Sequence, residues 1–211
     1  MLIAVAALLL SGLVSIIVQR QAYTLKLVGA GGAFLGSMAG FIFSLCVLIK
    51  GEIVTLRRDW HVPYGSFYFS IDSLSAFFLC VLFLLSMLIA LYATGYLERY
   101  AKKKNLGIQW CLFNCFIASM ALVLTARNGI LFLFLWEVMS LLSFFLVTFE
   151  HEDSSVRRAG LIYLTATHIG TACLLVSFVL LGRGAADLDF NHLSAAGKMA
   201  DWVFILAHIV S

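Results

Sequence analysis

The sequence is short of charge and almost free of proline. Charged residues make up 12% of its 211 residues, and it contains a single proline. Hydrophobic residues make up 63%, and the mean hydropathy is +1.03. Soluble domains are about half apolar and a quarter charged. The composition therefore excludes an ordinary soluble domain and indicates an integral membrane protein.

The sequence also lacks a dinucleotide-binding glycine fingerprint, an iron–sulfur cysteine spacing and a paired nucleophile and base. We therefore expect no cofactor, and any redox chemistry would belong to partner subunits. The net charge of +3 is small and its positive residues lie in loops, which favours a topological role over nucleic-acid binding.

No cysteine cluster is present, because all five cysteines fall inside apolar runs: Cys46, Cys80, Cys111, Cys115 and Cys173. Cysteines in such runs are typical small buried hydrophobes, whereas a disulfide framework or a zinc site needs them grouped with other ligands. Cys111 and Cys115 share a helix face, but no histidine or acid lies near them in sequence. We predict no metal site.

The apolar residues form continuous runs of about 20 residues, the length that a helix needs to cross hydrocarbon. β-Barrel strands are shorter and alternate polar with apolar residues. We therefore predict an all-α, polytopic transmembrane helix bundle with six full spans and the start of a seventh. The predicted spans are Met1 to Val18, Leu27 to Ile49, Leu74 to Tyr96, Leu106 to Leu124, Asn128 to Phe149 and Ala159 to Leu181.

The last apolar run, Trp202 to Val210, has nine residues, about half of a span. We expect the sequence to end inside a transmembrane helix, as a fragment or a truncated reading frame.

Several local patterns predict packing and helix ends. Gly32, Gly36 and Gly40 recur every four residues and predict a helix face that another helix approaches closely. The segment Gly65–Ile71 predicts a short strand or an interfacial segment. Caps are expected at Ser70 or Asp72 before the third span and at Asp153, Ser154 or Ser155 before the sixth. The short link from Thr125 to Asn128 predicts that the fourth and fifth helices are antiparallel neighbours.

Orientation follows from the basic residues on alternate loops. One side has eight: Arg20, Lys26, Arg99, Lys102, Lys103, Lys104, Arg157 and Arg158. The other has six: Lys50, Arg57, Arg58, Arg127, Arg183 and Lys198. The lysine cluster adjoins a helix end, so we expect the first set in the cytoplasm, the N-terminus outside, and a multi-pass protein of the inner (plasma) membrane.

Glu137 lies near the middle of the fifth predicted span, where an ionisable group costs at least a few kcal/mol. Such a residue is a functional-site candidate by default. The alternative is a protonated glutamic acid that holds two helices together through a hydrogen bond.

His168 lies near the middle of the sixth span and His208 in the last apolar run. Glu137 and His168 are offset by roughly four residues in depth, about 6 Å. Packed helices are about 8–10 Å apart, so the two side chains would touch directly or through water. Histidine titrates near physiological pH, which suits a proton relay. A neutral histidine bonded across helices is the alternative, and His208 is the weaker candidate.

The stretch Asn114–Leu175 resembles the antiporter-like membrane subunits of respiratory complex I, membrane-bound hydrogenases and multi-subunit cation/proton antiporters. Asn128–Glu137 is similar to the family phrase N-x-L-F-L-F-x-W-E, with one extra residue, and SIDSLSAFF (Ser70–Phe78) is similar to the opening of its third helix. YLTATHIGTACLL most resembles the hydrogenase-4 component B branch.

The resemblance implies three leading helices in residues 1–106 and an incomplete antiporter-like repeat in residues 107–211. In that family the glutamate of the fifth helix is paired with a lysine of a broken seventh helix. Glu137 matches the glutamate, and the lysine would lie beyond Ser211. The resemblance also implies other membrane subunits, the lipid bilayer and protons, or sodium ions, as partners.

Three functions follow as hypotheses. The first is part of a proton-translocating subunit of a complex I-like NADH:quinone oxidoreductase or a group 4 membrane-bound hydrogenase, with Glu137 as principal proton-binding group and His168 as relay. The second is a subunit of a cation/proton antiporter that has no redox partner. The third is a structural membrane scaffold without transport activity.

Overall fold

The structure is a computed structural model that describes residues 1–59, 65–100, 104–182 and 188–191. Within these ranges the chain forms six α-helices, a two-stranded β-hairpin and a 3₁₀ turn at Thr148–Glu150. The helices and strands are α1 (Leu2–Ile17), α2 (Ala22–Lys50), β1 (Val54–Asp59), β2 (Ser66–Ile71), α3 (Ser73–Glu98), α4 (Leu106–Thr125), α5 (Gly129–Val147) and α6 (Ser154–Leu181).

The predicted all-α transmembrane bundle is confirmed. Helices α2 to α6 are long and apolar enough to cross a membrane, whereas α1 is a shorter apolar helix of 16 residues. The count of six spans therefore stays a prediction. The last apolar run from Trp202, with His208, lies outside the described residues.

The helices run alternately up and down between two ends. The hairpin end contains β1 and β2, the start of α3 and the link between α4 and α5. We call the other the lysine end, because Lys26 at the start of α2 and Lys104 before α4 lie there. At the lysine end, Lys26 Nζ lies 2.9 Å from Glu98 Oε1 of α3, and Lys104 pairs with Glu152 before α6.

Helices α1 to α4 share one apolar core. Leu8 of α1, Leu79 and Phe83 of α3, and Ile117 of α4 are fully or almost fully buried in it. Because lipid is as apolar as these side chains, close van der Waals packing holds membrane helices together more than the hydrophobic effect does. Helix α2 closes this core through its glycines.

The glycine face of α2 is confirmed as a packing surface. A Cβ atom on Gly40 would lie 2.5 Å from the Phe83 ring, and one on Gly36 would lie 2.9 Å from the Leu8 side chain. A Cβ on Gly32 would overlap Ser11. Glycine therefore lets α1 and α3 approach the backbone of α2.

Four buried hydroxyl groups in the spans bond to their own helix. Ser15, Ser44, Ser86 and Thr125 each donate to the carbonyl four residues earlier, at 2.7 to 3.0 Å. Such bonds satisfy polar groups where no water is available.

The predicted helix ends and the predicted strand are confirmed at the positions that the sequence indicated. Ser66–Ile71 forms β2, which pairs antiparallel with β1 from Val54↔Ile71 to Asp59↔Ser66. Asp72 caps α3 through the Ser75 amide at 2.8 Å, and Asp153 caps α6 through the Ser155 amide at 2.7 Å. Each oxygen accepts from an amide that the first turn leaves unpaired.

Helices α5 and α6 lie progressively further from this core. Helix α5 follows α4 after a three-residue link and packs against it through Leu131 and Leu135, which meet Val123 and Ala126. Helix α6 packs mainly on α5, and Gly160 is its only fully buried residue among those described. One side of α5 and most of α6 therefore face outward.

A close approach of α1 and α4 at Gly107 supports a stability prediction. A Cβ on Gly107 would lie 2.6 Å from the Ser15 carbonyl oxygen, whereas one on Gly95 would meet nothing within 4 Å. We expect Gly107→Ala to destabilise the protein by about 1–3 kcal/mol through overpacking against backbone. The control Gly95→Ala should be neutral or stabilising by up to about 1 kcal/mol. Thermal unfolding in detergent compares them, and equal melting temperatures would contradict the α1–α4 contact.

Candidate functional site

Glu137 of α5 and His168 of α6 are brought together. The Nε2 atom of His168 lies 3.6 Å from Oε2 of Glu137. Both residues lie well inside their helices, eight and fourteen residues after the respective starts at Gly129 and Ser154. The contact expected from their depths in the sequence is therefore present.

The hydrogen bond of the other ring nitrogen of His168, Nδ1, determines the tautomer of the imidazole. Nδ1 lies 2.9 Å from the Leu164 carbonyl oxygen, one helical turn earlier. A carbonyl oxygen only accepts, so Nδ1 must carry a proton and donate it. In the neutral ring, Nε2 then has a lone pair directed towards the carboxyl group. The pair can hold one proton in two ways, as carboxylic acid with imidazole or as carboxylate with imidazolium.

The pair is partly exposed. The side chains are 31% exposed at Glu137 and 52% exposed at His168. The reason is the position of α6, which packs on α5 and turns its other faces outward within the described residues. The pair lies at the edge of the bundle.

Two further polar groups lie beside Glu137 and were missed at the level of sequence. Ser140 is 1% exposed, and neither its Oγ nor the buried Nε1 of Trp136 has a hydrogen-bond partner in the described structure. Buried donors are normally satisfied by protein or by ordered water. The two residues are one helical turn apart on α5, with Glu137 between them in sequence. A tryptophan and a serine in an apolar helix give no signal that distinguishes them from packing residues.

The structure gives less support for a functional role of the other residues singled out in the sequence. His208 lies outside the described residues. Cys111 Sγ and Cys115 Sγ are 4.0 Å apart on α4. Across the described ranges, no group of three or more histidine, cysteine, aspartate or glutamate residues is arranged to hold a metal ion.

A second polar cluster, at the hairpin end, is centred on Asp189, which is 1% exposed. Its Oδ1 accepts from Ser66 Oγ at 2.6 Å and from Asn128 Nδ2 at 2.8 Å. Its Oδ2 lies 2.8 Å from Arg57 Nη2. Asn128 also caps α5 through the Ile130 and Leu131 amides. The cluster therefore ties the hairpin and residues 188–191 to the start of the helix that carries Glu137.

An ion pair beside this cluster fixes the start of α3. Arg127 Nη2 lies 2.8 Å from Asp72 Oδ2 and 3.2 Å from Ser75 Oγ. Burial raises the pKa of the Asp72 carboxyl, but the Ser75 hydrogen bonds and the Arg127 charge outweigh it and hold that pKa below its ordinary value. The capping carboxylate therefore stays charged at neutral pH.

Comparison with known families agrees with this architecture. Residues 64–104 match the family described as NADH-ubiquinone oxidoreductase (complex I), chain 5 N-terminus. Residues 126–210 match the transmembrane family of NADH:quinone oxidoreductase and Mrp antiporter subunits. The chain is thus an antiporter-like membrane protein by class. It belongs to the family shared by complex I, hydrogenase and Mrp complexes.

Individual relatives come from several branches of this family. The chain is 32% identical to hydrogenase-4 component B of Escherichia coli over 83% of its own length and 26% of the relative's. It is 27% identical to a probable K⁺/H⁺ antiporter component of Rhizobium meliloti, over 75% and 17% of the two chains. The chain spans about a quarter of the length of the first relatives that it matches.

Solved structures show the same fold. The Mrp complex from Dietzia matches with a TM-score of 0.76 at 18% identity, over 99% of this chain and 23% of that one. An archaeal membrane-bound sulfane sulfur reductase matches with a TM-score of 0.71 at 16% identity, over 98% and 42%.

The Asp189 cluster gives a stability prediction. In Asp189→Asn, the amide group must face either Arg57 or the Ser66 and Asn128 donors, so one donor loses its acceptor. We expect a loss of about 1–3 kcal/mol in the free energy of unfolding. Glu98→Gln, which breaks an exposed pair with Lys26, should cost at most about 1 kcal/mol. Unfolding in detergent measures the free energy of unfolding of both variants. An equal loss in the two would contradict a stabilising role for the Asp189 cluster.

Proposed function

We propose that this chain is part of a proton-translocating membrane subunit, in which Glu137 is the principal proton-binding group and His168 exchanges a proton with it. The observation that carries the proposal is the contact between Glu137 Oε2 and His168 Nε2 at 3.6 Å, inside two membrane-length helices. Acid and imidazole at this depth are expensive to keep and are typical of proton pathways.

The proton transfer follows from the fixed Nδ1–H of His168. A proton on the Glu137 carboxyl moves to Nε2, which leaves a carboxylate beside an imidazolium. Nδ1 keeps its own proton, because the Leu164 carbonyl holds it. The proton therefore enters and leaves the ring through Nε2, so His168 stores a proton, and onward transfer needs a second acceptor at that atom.

Water completes the path in this proposal. A separation of 3.6 Å exceeds a normal hydrogen bond of about 2.7–3.2 Å, so transfer needs a small side-chain movement or one intervening water. The partnerless donors of Ser140 and Trp136 support a water position next to Glu137. His208, seven residues into the last apolar run, remains a weaker relay candidate.

Exposure of the pair supports the presence of membrane partners. A carboxyl group facing lipid would be strongly disfavoured, so we infer that further protein covers the outward side of α6 in the assembled membrane complex. The same reasoning favours other membrane subunits as partners. The basic residues on alternate loops favour the plasma membrane as the location, with the N-terminus outside.

The 32% identity to hydrogenase-4 component B favours a hydrogenase-type or complex I-like oxidoreductase. A second candidate is a cation/proton antiporter without a redox partner, favoured by the K⁺/H⁺ antiporter relative and the likeness to the Mrp complex. Co-purification separates them, because only the first requires hydrogenase or quinone-reductase subunits.

Glu137→Gln removes the acid while it keeps the size and polarity of the side chain. In the intact membrane complex we expect proton translocation to fall by about 10²-fold or to background, because the proton carrier is lost. Electron transfer, or cation binding in an antiporter, should remain measurable. Glu150→Gln, at the lysine end of the same segment, is the matched control and should translocate normally. Normal translocation by Glu137→Gln would leave the structural scaffold as the remaining interpretation.

His168→Gln tests the partner separately. We expect slower translocation with a changed pH dependence between about pH 5 and 8, because histidine is the residue type whose charge ordinarily changes in that range. His151→Gln, an exposed histidine outside the spans, should keep the parent profile. Proton uptake into vesicles measured across this pH range gives both curves, and identical profiles would remove His168 from the pathway.

A further inference from the structure

A groove of about 1000 Å³ opens sideways at the lysine end, between α2 and α3. Its walls are apolar, and its mouth is polar. The wall residues include Leu25, Ala30, Phe34, Ala90, Leu91 and Leu97. None of these residues takes part in the Glu137 site, and no residue of α6 (Ser154–Leu181) lines the groove.

The depth of the groove corresponds to one leaflet of a bilayer. From Lys26 at the mouth to Leu35 at the far end is nine residues of α2, about 13 Å at the helical rise. The hydrocarbon core of a bilayer is about 30 Å thick, so one leaflet contributes about 15 Å. The groove thus runs from the membrane surface to near the midplane.

Helices α2 and α3 touch along the floor of the groove, where Ala30 and Ala90 belong to one buried cluster, and they stay in contact beyond Leu35. Gly40 packs directly against the Phe83 ring, where a Cβ atom would come within 2.5 Å. A transmembrane helix of a partner protein needs a groove through the whole hydrocarbon thickness. A chain that enters from one leaflet and stops at the midplane fits this shape, and a phospholipid acyl chain has that property.

The chemistry of the mouth suits an anionic headgroup. Lys26 Nζ uses one of its three protons for Glu98 at 2.9 Å, and Lys104 pairs with Glu152. Both ammonium groups retain donors for a phosphate oxygen. Gln19, Tyr23 and Asn105 add polar groups around the same opening.

Residues next to the mouth place it at the level of lipid headgroups. Arg20 follows Gln19, and Arg99 follows Glu98, and both are exposed. Tyr92, Tyr96 and Tyr100 form a ladder of ring contacts at 5.6 to 5.9 Å along the same end of α3. Tyrosine is enriched at membrane interfaces, and basic residues there attract anionic lipid.

We propose that this groove binds one anionic phospholipid of the leaflet at the lysine end. Its phosphate contacts Lys26 and Lys104, and one acyl chain lies between α2 and α3 along Phe34 and Leu91. The lipid fills the space that the two helices leave on this side of the Gly40–Phe83 contact.

Gly31→Phe tests the apolar part of the site. Gly31 lines the groove, and a Cβ there meets nothing within 4 Å, so the ring enters the groove without a clash with protein. Gly95→Phe is the matched control, because Gly95 lies at a similar depth on α3, is equally open and does not line the groove. The natural protein, purified in mild detergent, is analysed by native mass spectrometry for retained phosphatidylglycerol. We expect the parent and Gly95→Phe to retain one lipid more than Gly31→Phe.

Two charge variants test the headgroup part, with opposite expected signs. In nanodiscs that contain phosphatidylglycerol and phosphatidylcholine, Lys26→Gln should lower the phosphatidylglycerol affinity about fivefold, the effect of one basic residue near an anionic surface. Glu98→Gln frees Lys26 from its partner and should raise that affinity. A general loss of structure would not move the two variants in opposite directions.

Three results would overturn the proposal. One is equal lipid retention by the parent and both glycine variants, and another is equal occupancy by phosphatidylcholine. The third is a disulfide between Gly31→Cys and a cysteine introduced into a neighbouring protein of the complex, because a protein segment would then fill the groove.

Discussion

The structure depends on a rule that applies to every polar group inside a membrane: it must find a partner within the protein or in retained water. Four buried hydroxyl groups, those of Ser15, Ser44, Ser86 and Thr125, bond to their own helix. The buried carboxylate of Asp189 is held by Ser66, Asn128 and Arg57. The carboxyl group of Glu137 lies 3.6 Å from the imidazole of His168 on the next helix. A hydroxyl group bonded to its own helix, or a carboxylate held by fixed donors, has one hydrogen-bonding arrangement. An acid and an imidazole that share one proton have two, carboxylic acid with imidazole and carboxylate with imidazolium. That difference separates a structural polar contact from one that can move charge.

The Glu137–His168 pair adjoins the packed helix bundle on one side and is exposed on the other. Helices α1 to α4 pack through glycines and buried aliphatic side chains, and α5 is fastened to them along α4 and at its capped start. Helix α6 is held mainly by α5. His168 is therefore on the least constrained helix of the described part, next to an acid on a well-anchored one. The chain is similar to a component of hydrogenase-4 and to a chain of the Mrp complex.

Much of this arrangement was predictable from the sequence, because the physical signals are local. Run length gives the spans, aspartate before an apolar run gives the caps at Asp72 and Asp153, and the four-residue glycine period gives the packing face of α2. The depth of Glu137 and His168 in adjacent helices predicted their contact. The exposure of that pair was not predictable, because helices of uniform apolar character do not reveal which face meets which neighbour. Asp189 was missed for a related reason, since a polar residue in a polar loop has no pattern that distinguishes a buried anchor from a solvated side chain.

The central claim is that Glu137 and His168 share one proton. Infrared titration of the intact protein tests it most directly, with the Glu137 carboxylic acid band assigned by its loss in Glu137→Gln and the imidazole ring bands assigned by histidine labelling. Our account predicts that the pair loses its shared proton in one step as the pH rises, so that the carboxylic acid and imidazolium bands decline with the same midpoint, and that this midpoint moves in His168→Gln. Independent changes of the two signals, with a Glu137 band that is unaltered in His168→Gln, would contradict it.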